Sequence, residues 1–201
     1  MDETDTRQAI KDTALELLVR HGYRGTSFGD ISTALGTTRA NIHYHFGNKQ
    51  ALVGEVLRDY MQATLSALRA VWSHEESSLA EQVEAMIAYS RARFRHFNPA
   101  GTEGRNWSLI SRLRQDADLL GDDGRRMLNH FGIELLALFT EAFSSAGRRG
   151  ELAPNVVAAD AALLLAAIAD NAAPITLAEG GFEALEETYR SLTRIIKSSA
   201  E

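Results

Sequence analysis

Apolar residues recur at helical spacing along most of the chain, and the pattern is sharpest between Thr26 and Leu52. There Phe28, Ile31 and Leu35 fall at i, i+3 and i+7, while Ile42 and Phe46 fall at i and i+4, so two short helices each bury one narrow stripe. Gly36 supplies the tight turn between them. Thr37 or Thr38 is the predicted N-cap of the second helix and Asn48 that of a third, because a short side-chain oxygen accepts orphan backbone N–H groups. Such a compact triplet is the layout of a helix-turn-helix. Ahead of it, a helix is predicted from about Thr6 to Arg20, capped by Thr4 or Asp5 and ended by Gly22, with Ile10, Ala14, Leu17 and Leu18 facing its neighbours.

The helix that begins at Lys49 continues toward Trp72 with Leu52, Val56, Tyr60, Ala63 and Ala67 on one face, passing from a first domain, residues 1–50, into a second, residues 51–201. Ser77 or Ser78 caps the next helix, which carries Val83, Met86, Ile87, Phe94 and Phe97 until Asn98-Pro99-Ala100-Gly101 breaks it. A shorter helix between Gly104 and Leu120 carries Trp107, Ile110 and Leu113, and a long one runs from Asp122 to Ala146, ended by the stretch Gly147–Gly150. Asn155 caps an alanine-rich helix from Val156 to about Ala172, and Gly180-Gly181 separates it from a last helix, Phe182 to Lys197. No stretch alternates as a strand does, so the predicted fold class is all-α: a three-helix reader followed by a larger helical domain.

With Ile42 turned inward on a wheel of about 100° per residue, Ala40 and Tyr44 point away from the core, Asn41 and His43 flank them, and Arg39 lies near one edge. That face suits a major groove. Ala40 lets the backbone approach, Asn41 offers paired donor and acceptor atoms to an adenine, and Arg39 can fork onto a guanine. Tyr44, His43 and His45 supply phosphate or thymine-methyl contacts, and Lys49 in the first turn of the next helix is placed to meet a phosphate. A short helical hairpin with a polar outer face can also be a mere packing unit.

His21-Gly22-Tyr23 through Gly36, followed by Asn41-Ile42-His43-Tyr44-His45-Phe46 and Asn48-Lys49-Gln50-Ala51-Leu52, closely resembles the amino-terminal domain of the tetracycline-repressor (TetR) family over about residues 5 to 60. The resemblance implies an all-helical homodimer whose third helix enters the major groove of a double-stranded DNA operator. It also implies a carboxy-terminal domain that binds a small-molecule effector and releases or alters DNA binding. Carried onto this chain, the base-reading positions are Arg39, Ala40, Asn41 and His43; Tyr44, His45 and Lys49 are base or phosphate contacts, with Thr38 at the helix start completing the candidate interface. Two departures concern the operator sequence: His43 stands where a phosphate-binding Tyr is usual, and Gly29 lacks the side chain with which some members touch a base.

The 201 residues, 45% apolar, exceed what one small reader needs and can fill a second core. With no cysteine, disulfides, thiol catalysis and Cys-based metal sites are excluded. The longest apolar run, Ala161 to Ala169, is too short to span a bilayer, and the chain reads as cytoplasmic, with no membrane partner. A net charge of −6 argues against nucleic acid as a partner, but Arg20, Arg24, Arg39 and Lys49 share their segment with a single acid, Asp30, which predicts a locally positive face.

No catalytic residue, cofactor or metal site is expected. Gly25-Thr26-Ser27-Phe28-Gly29 fits the G-x-S-x-G elbow of hydrolases, yet that elbow needs a preceding strand and Ser27 follows a helical pattern. The glycines near Gly101 and Gly104 lack the Lys-Ser/Thr of a phosphate loop, and His43 and His45, two apart on a helix, make a poor metal pair. Candidate effector contacts in the second domain are Met86, Tyr89, Phe94, Trp107, Ile110 and Phe131 on inward stripes, with Asn129, His130, Asp170 and Asn171 as polar anchors. Core packing is the alternative for each aromatic. Ala158, Ala162, Ala166 and Ala169 allow close helix approach, either inside the chain or in a four-helix interface between two copies. The functional expectation is a ligand-responsive transcriptional regulator, most simply a repressor; the rival is a helical small-molecule-binding or catalytic protein with an unused reader.

Overall fold

Local signals set most of the helix ends. The computed structural model describes residues 3–74, 76–99, 104–178 and 181–197. Among the described residues the chain is all-α: α1 (Glu3–His21), α2 (Phe28–Leu35), α3 (Arg39–Phe46), α4 (Lys49–Trp72), α5 (Leu79–Phe97), α6 (Leu109–Gln115), α7 (Gly121–Arg148), α8 (Ala158–Asp170), α9 (Ala172–Ala178) and α10 (Glu183–Ile196), with one 3-10 turn at Ala117–Leu119. The sole β-like feature among them is an isolated bridge between Leu152 and Lys197.

These helices form two compact units. The first comprises residues up to Ala63 together with Ser108–Asn129, and the second comprises Thr64–Trp107 together with residues from His130 onward. The first unit extends along α4 past residue 50 and is discontinuous in sequence. The cause lies in α6, which packs against α1. There Asp116, at the C-terminal end of α6, accepts from Tyr23 N–H at 2.8 Å, Arg112 donates to His21 O at 3.2 Å, and Tyr60 Oη accepts from Leu109 N–H at 3.3 Å.

In the first unit α1 buries Ile10, Ala14, Leu18 and Val19 completely, with Val19 taking the place expected for half-buried Leu17. Because α1 already begins at Glu3, Thr4 and Asp5 are helical and are not its cap. Gly22, at φ 73°, ends it and bonds back to Leu18 O at 2.9 Å, a left-handed geometry that glycine adopts without strain. On α4 the buried face in this unit includes Leu52, Val53, Val56, Leu57 and Tyr60; it then continues through Leu65, Leu68 and Trp72 in the second unit. Ala63 is exposed and Ala67 half-buried, since the larger leucines gain more by leaving water, about 1.5–3 kcal/mol each.

The second unit is organised around aromatic contacts. Trp72 packs edge-on against Phe139, ring centroids 5.2 Å apart, and Phe94 meets Trp107 at 6.4 Å and Phe182 at 5.5 Å. Ser78 caps α5 in a capping box with Glu81. α6 is shorter than expected because Ser108, not a residue near Gly104, is its N-cap, which leaves Trp107 outside the helix. The expected single helix from Val156 to Ala172 begins later, at Ala158, with no side-chain cap from Asn155, and breaks at Asn171 into α9, bent by 59°. Pro174 explains the break: it has no N–H for Asp170 O, and its ring crowds that carbonyl. α10 packs on α5, α8 and α9, and the Arg91–Glu186 and Arg190–Glu84 pairs, the latter at 2.9 Å, tie it to α5. No single helix among the described residues is long and apolar enough to cross a membrane. Ala100, Gly101 and Gly180, expected in loop breaks, lie outside the described residues.

Candidate nucleic-acid interface

The turn and its caps orient α3. Ser27 and Asp30 close a capping box at the start of α2, with Asp30 Oδ2 accepting from Ser27 N–H at 2.8 Å and Ser27 Oγ accepting from Asp30 N–H at 3.2 Å. The hydroxyl of Ser27 is thus committed to a helix end, the structural role that competes with the hydrolase-like motif. Gly36, left-handed at φ 67°, closes α2 by donating to Ser32 O and Thr33 O. Thr38 then caps α3 by accepting from Asn41 N–H at 3.1 Å, and Asn48 caps α4 by accepting from Ala51 N–H at 2.9 Å.

Ile42 and Phe46 are buried, so the opposite face of α3 looks outward. Arg39, Ala40 and His43 are exposed, Tyr44 is 75% exposed, and Asn41 and His45 are half-buried. Several of these side chains are already aimed. Asn41 Nδ2 donates to Thr37 Oγ1 at 3.0 Å, which leaves its carbonyl oxygen to face a partner. His43 Nδ1 lies 2.9 Å from Gly47 O. A carbonyl only accepts, so Nδ1 is the donor in this contact, which leaves Nε2 to face outward contacts. The His43 ring stands edge-on against Phe28 at 4.7 Å, and Tyr44 meets His45 at 5.3 Å.

Charge is distributed differently from expectation. Acids from outside the segment pair with two of its four Arg and Lys side chains: Arg20 with Glu16 at 3.3 Å, and Arg24 with Asp116 at 3.4 Å and Asp118 at 3.0 Å. Lys49 does not project from α4; its ammonium donates to Tyr23 O and sits 4.1 Å over the Tyr23 ring, and burial holds its pKa below the usual lysine value. Among the described arginines and lysines from Arg20 to Lys49, Arg39 is the one with no ion pair or hydrogen-bonded partner. The positive face therefore narrows to Arg39, flanked by histidines.

Residues 10–56, which contain this site, match the sequence profile of the family described as bacterial regulatory proteins, tetR family. In this amino-terminal segment the chain carries a tetR-family domain. It is 44% identical over 52 residues to the HTH-type transcriptional regulator AcrR of Shigella flexneri, covering 26% of this chain and 24% of that protein. With the probable acrEF/envCD operon repressor of Escherichia coli (strain K12) it shares 37% identity over 68 residues, 31% of each chain. These two alignments span less than a third of either relative. A longer one, with the HTH-type transcriptional repressor BepR of Brucella suis biovar 1 (strain 1330), is 26% identical and covers 98% of this chain and 93% of that one. A TetR-family regulator from Agrobacterium tumefaciens superposes with a TM-score of 0.86 at 21% identity, covering 98% and 100% of the two chains, so this chain shares that protein's fold.

Outside the reader, the structure brings together some of the sequence-derived effector candidates and separates others. Phe94 and Trp107 are buried neighbours, and Trp107 Nε1–H donates to Thr176 Oγ1 at 2.9 Å. Met86 and Phe131 are buried and Tyr89 is half-buried, all in the second unit. Ile110, also buried, and exposed Asn129 belong to the first unit. His130 is exposed and pairs with Glu134 at 3.0 Å. Asn171 is exposed and closes α8 by donating to Ala167 O at 2.8 Å; Asp170 beside it is half-buried. The polar members of the set thus lie at the surface or at a helix end. None of the candidates lines either described cavity, about 410 Å³ beside Tyr23, Gln50 and Met127 in the first unit and about 150 Å³ beside Trp72, Gln82 and Arg149 in the second. Thr176 and Phe182, which complete the aromatic cluster, were not singled out by sequence; Thr176 was visible as the one hydroxyl in the Ala172–Ala178 stretch. No group of three or more potential ligands among the described residues could hold a metal ion.

Proposed function

We propose that this tetR-family chain is a DNA-binding transcriptional regulator, acting as a repressor, that lays α3 of each of two copies into successive major grooves of a palindromic operator. The observation that carries the reading is the outward face of α3, where Arg39 is an unpaired cation beside Ala40, Asn41, His43 and Tyr44 in a segment whose other Arg and Lys side chains are engaged within the protein. An unpaired guanidinium next to a small residue is what base-edge recognition requires. Thr38, His45 and Lys49 belong to the same interface, with Lys49 having to leave Tyr23 to reach a phosphate.

A homodimer supplies the second reader. Support comes from Leu163 and Leu164 on α8 and Ile195 on α10, which are 57%, 53% and 72% exposed in the single chain. Ile195 continues a row of smaller residues, Ala184, Thr188 and Ser191, at helical spacing. Effector control by a small molecule is proposed for the second unit, around Phe94, Trp107 and Phe182; a structural neighbour from Saccharomonospora viridis was solved in complex with choline.

The test is selection of duplexes by the full-length chain from a randomised pool, followed by binding of the selected duplex at two salt concentrations. A palindromic motif whose affinity falls steeply with salt is expected, because bound cations release counterions. Retention of no duplex at low salt overturns the reading.

A further inference from the structure

The first turn of α2 is where the Arg39 guanidinium rests. A Cβ at Gly29 would lie 2.5 Å from Arg39 Nη2 and 3.0 Å from both its Cζ and Nε. Arg39 thus occupies the volume that any side chain at position 29 would fill. No acid holds it there. The nearest carboxylate in sequence to Gly29, that of Asp30, is engaged by the N–H and hydroxyl of Ser27. Packing against bare backbone is therefore what sets the direction of the fork. Phe28, the preceding residue, supports the His43 ring at 4.7 Å, so two consecutive positions of α2 shape two neighbouring reader side chains of α3.

We infer that Gly29 is a positioning residue for sequence recognition: its missing side chain lets Arg39 fold back over α2, and this selects the base that Arg39 reads. The inference rests on the proposed reading of α3 as the DNA-contacting helix. Loss of a direct contact from position 29 is thereby converted into control of another residue's contact. The clash made by a larger residue falls on the free end of a flexible side chain, and Gly29 has no positive φ, so Gly29→Ala leaves the fold intact and favours the helix. Its effect is to push the guanidinium off its seat. A bidentate arginine distinguishes its guanine from other bases by roughly 5- to 150-fold, and a displaced fork loses most of that preference.

The experiment uses the full-length chain, Gly29→Ala, Arg39→Ala and the double variant. Each is measured against the duplex that the unmodified chain selects from a random pool, against single-position variants of that duplex, and by thermal unfolding. Expected is a thermal midpoint for Gly29→Ala at or above the original, unchanged salt-dependent affinity for random duplex, and loss of base preference at the same position that Arg39→Ala affects. In the Arg39→Ala background Gly29→Ala has no further effect, the non-additivity of residues acting as a unit. Undiminished base preference in Gly29→Ala, a loss additive with that of Arg39→Ala, or unfolding of Gly29→Ala each overturns the inference while leaving the reader intact. Selection of no duplex by the unmodified chain removes the DNA-reading function, and this inference with it.

Discussion

Arg39 and Thr176 show how the proposed recognition and the stability of the fold fall to different side chains. Arg39 is exposed and bound by no acid, so Arg39→Ala should leave thermal stability unchanged. It should weaken the selected duplex by about 1–3 kcal/mol and random duplex much less; equal losses on both would contradict base reading at this position. Thr176 is the reverse case. It is buried, accepts the indole N–H of buried Trp107 and donates onward to Ala173 O at 2.8 Å. Thr176→Val keeps the shape but orphans the Trp107 N–H, and should cost about 1–3 kcal/mol in urea unfolding, while Thr176→Ser should restore most of it.

Among the elements, the capped helices α2 and α5 carry a pH dependence. Hydrogen bonds from Ser27 hold the Asp30 carboxyl below the usual carboxylate range, its side-chain bond foremost, and those from Ser78 do the same for Glu81, its backbone N–H foremost. A carboxyl whose folded pKa is depressed contributes stability above its unfolded value, about 4, and that contribution is lost as pH falls through the lower folded value. Ser27→Ala should cost about 1 kcal/mol near neutral pH, and its gap from the original chain should narrow in thermal melts taken below about pH 4. A gap that stays constant down to the lowest pH would show that the Asp30 carboxylate does not contribute through Ser27. Cap signals of this kind were legible in the sequence at Thr38, Asn48 and Ser78, because each acts within three residues of itself. Asn155 was misleading because the chain turns once more before α8 begins.

For the whole molecule, the proposed homodimer is the decisive property, since two readers on one twofold axis must match half-sites about one helical turn apart. Of the alanine row that suggested close helix approach, Ala162 is fully buried, and Ala158, Ala166 and Ala169 are half-buried in a helix that packs against α10 of the same chain. Exposed leucine and isoleucine form the interface in the proposal. Leu163→Asp combined with Ile195→Asp should therefore yield a monomer by light scattering with its helical content retained. A monomeric mass for the unaltered chain at micromolar concentration would remove the dimer altogether, whereas an intact dimer in the double variant would move its interface elsewhere.

The linear sequence determined the all-α class, the helix-turn-helix, the inward Ile42–Phe46 stripe and the outward α3 face, because periodicity, turns and caps are written within about four residues. Tertiary structure decided which bases remain available. Arg24 is neutralised by Asp118, 94 positions away, and Lys49 is drawn to Tyr23, 26 positions back. It likewise decided that α6 joins the reader's unit and that Arg39 rests where Gly29 has no side chain. Such pairings depend on which helices the packing of apolar faces brings together, and no local pattern around Arg39 records that the space above Gly29 is its own.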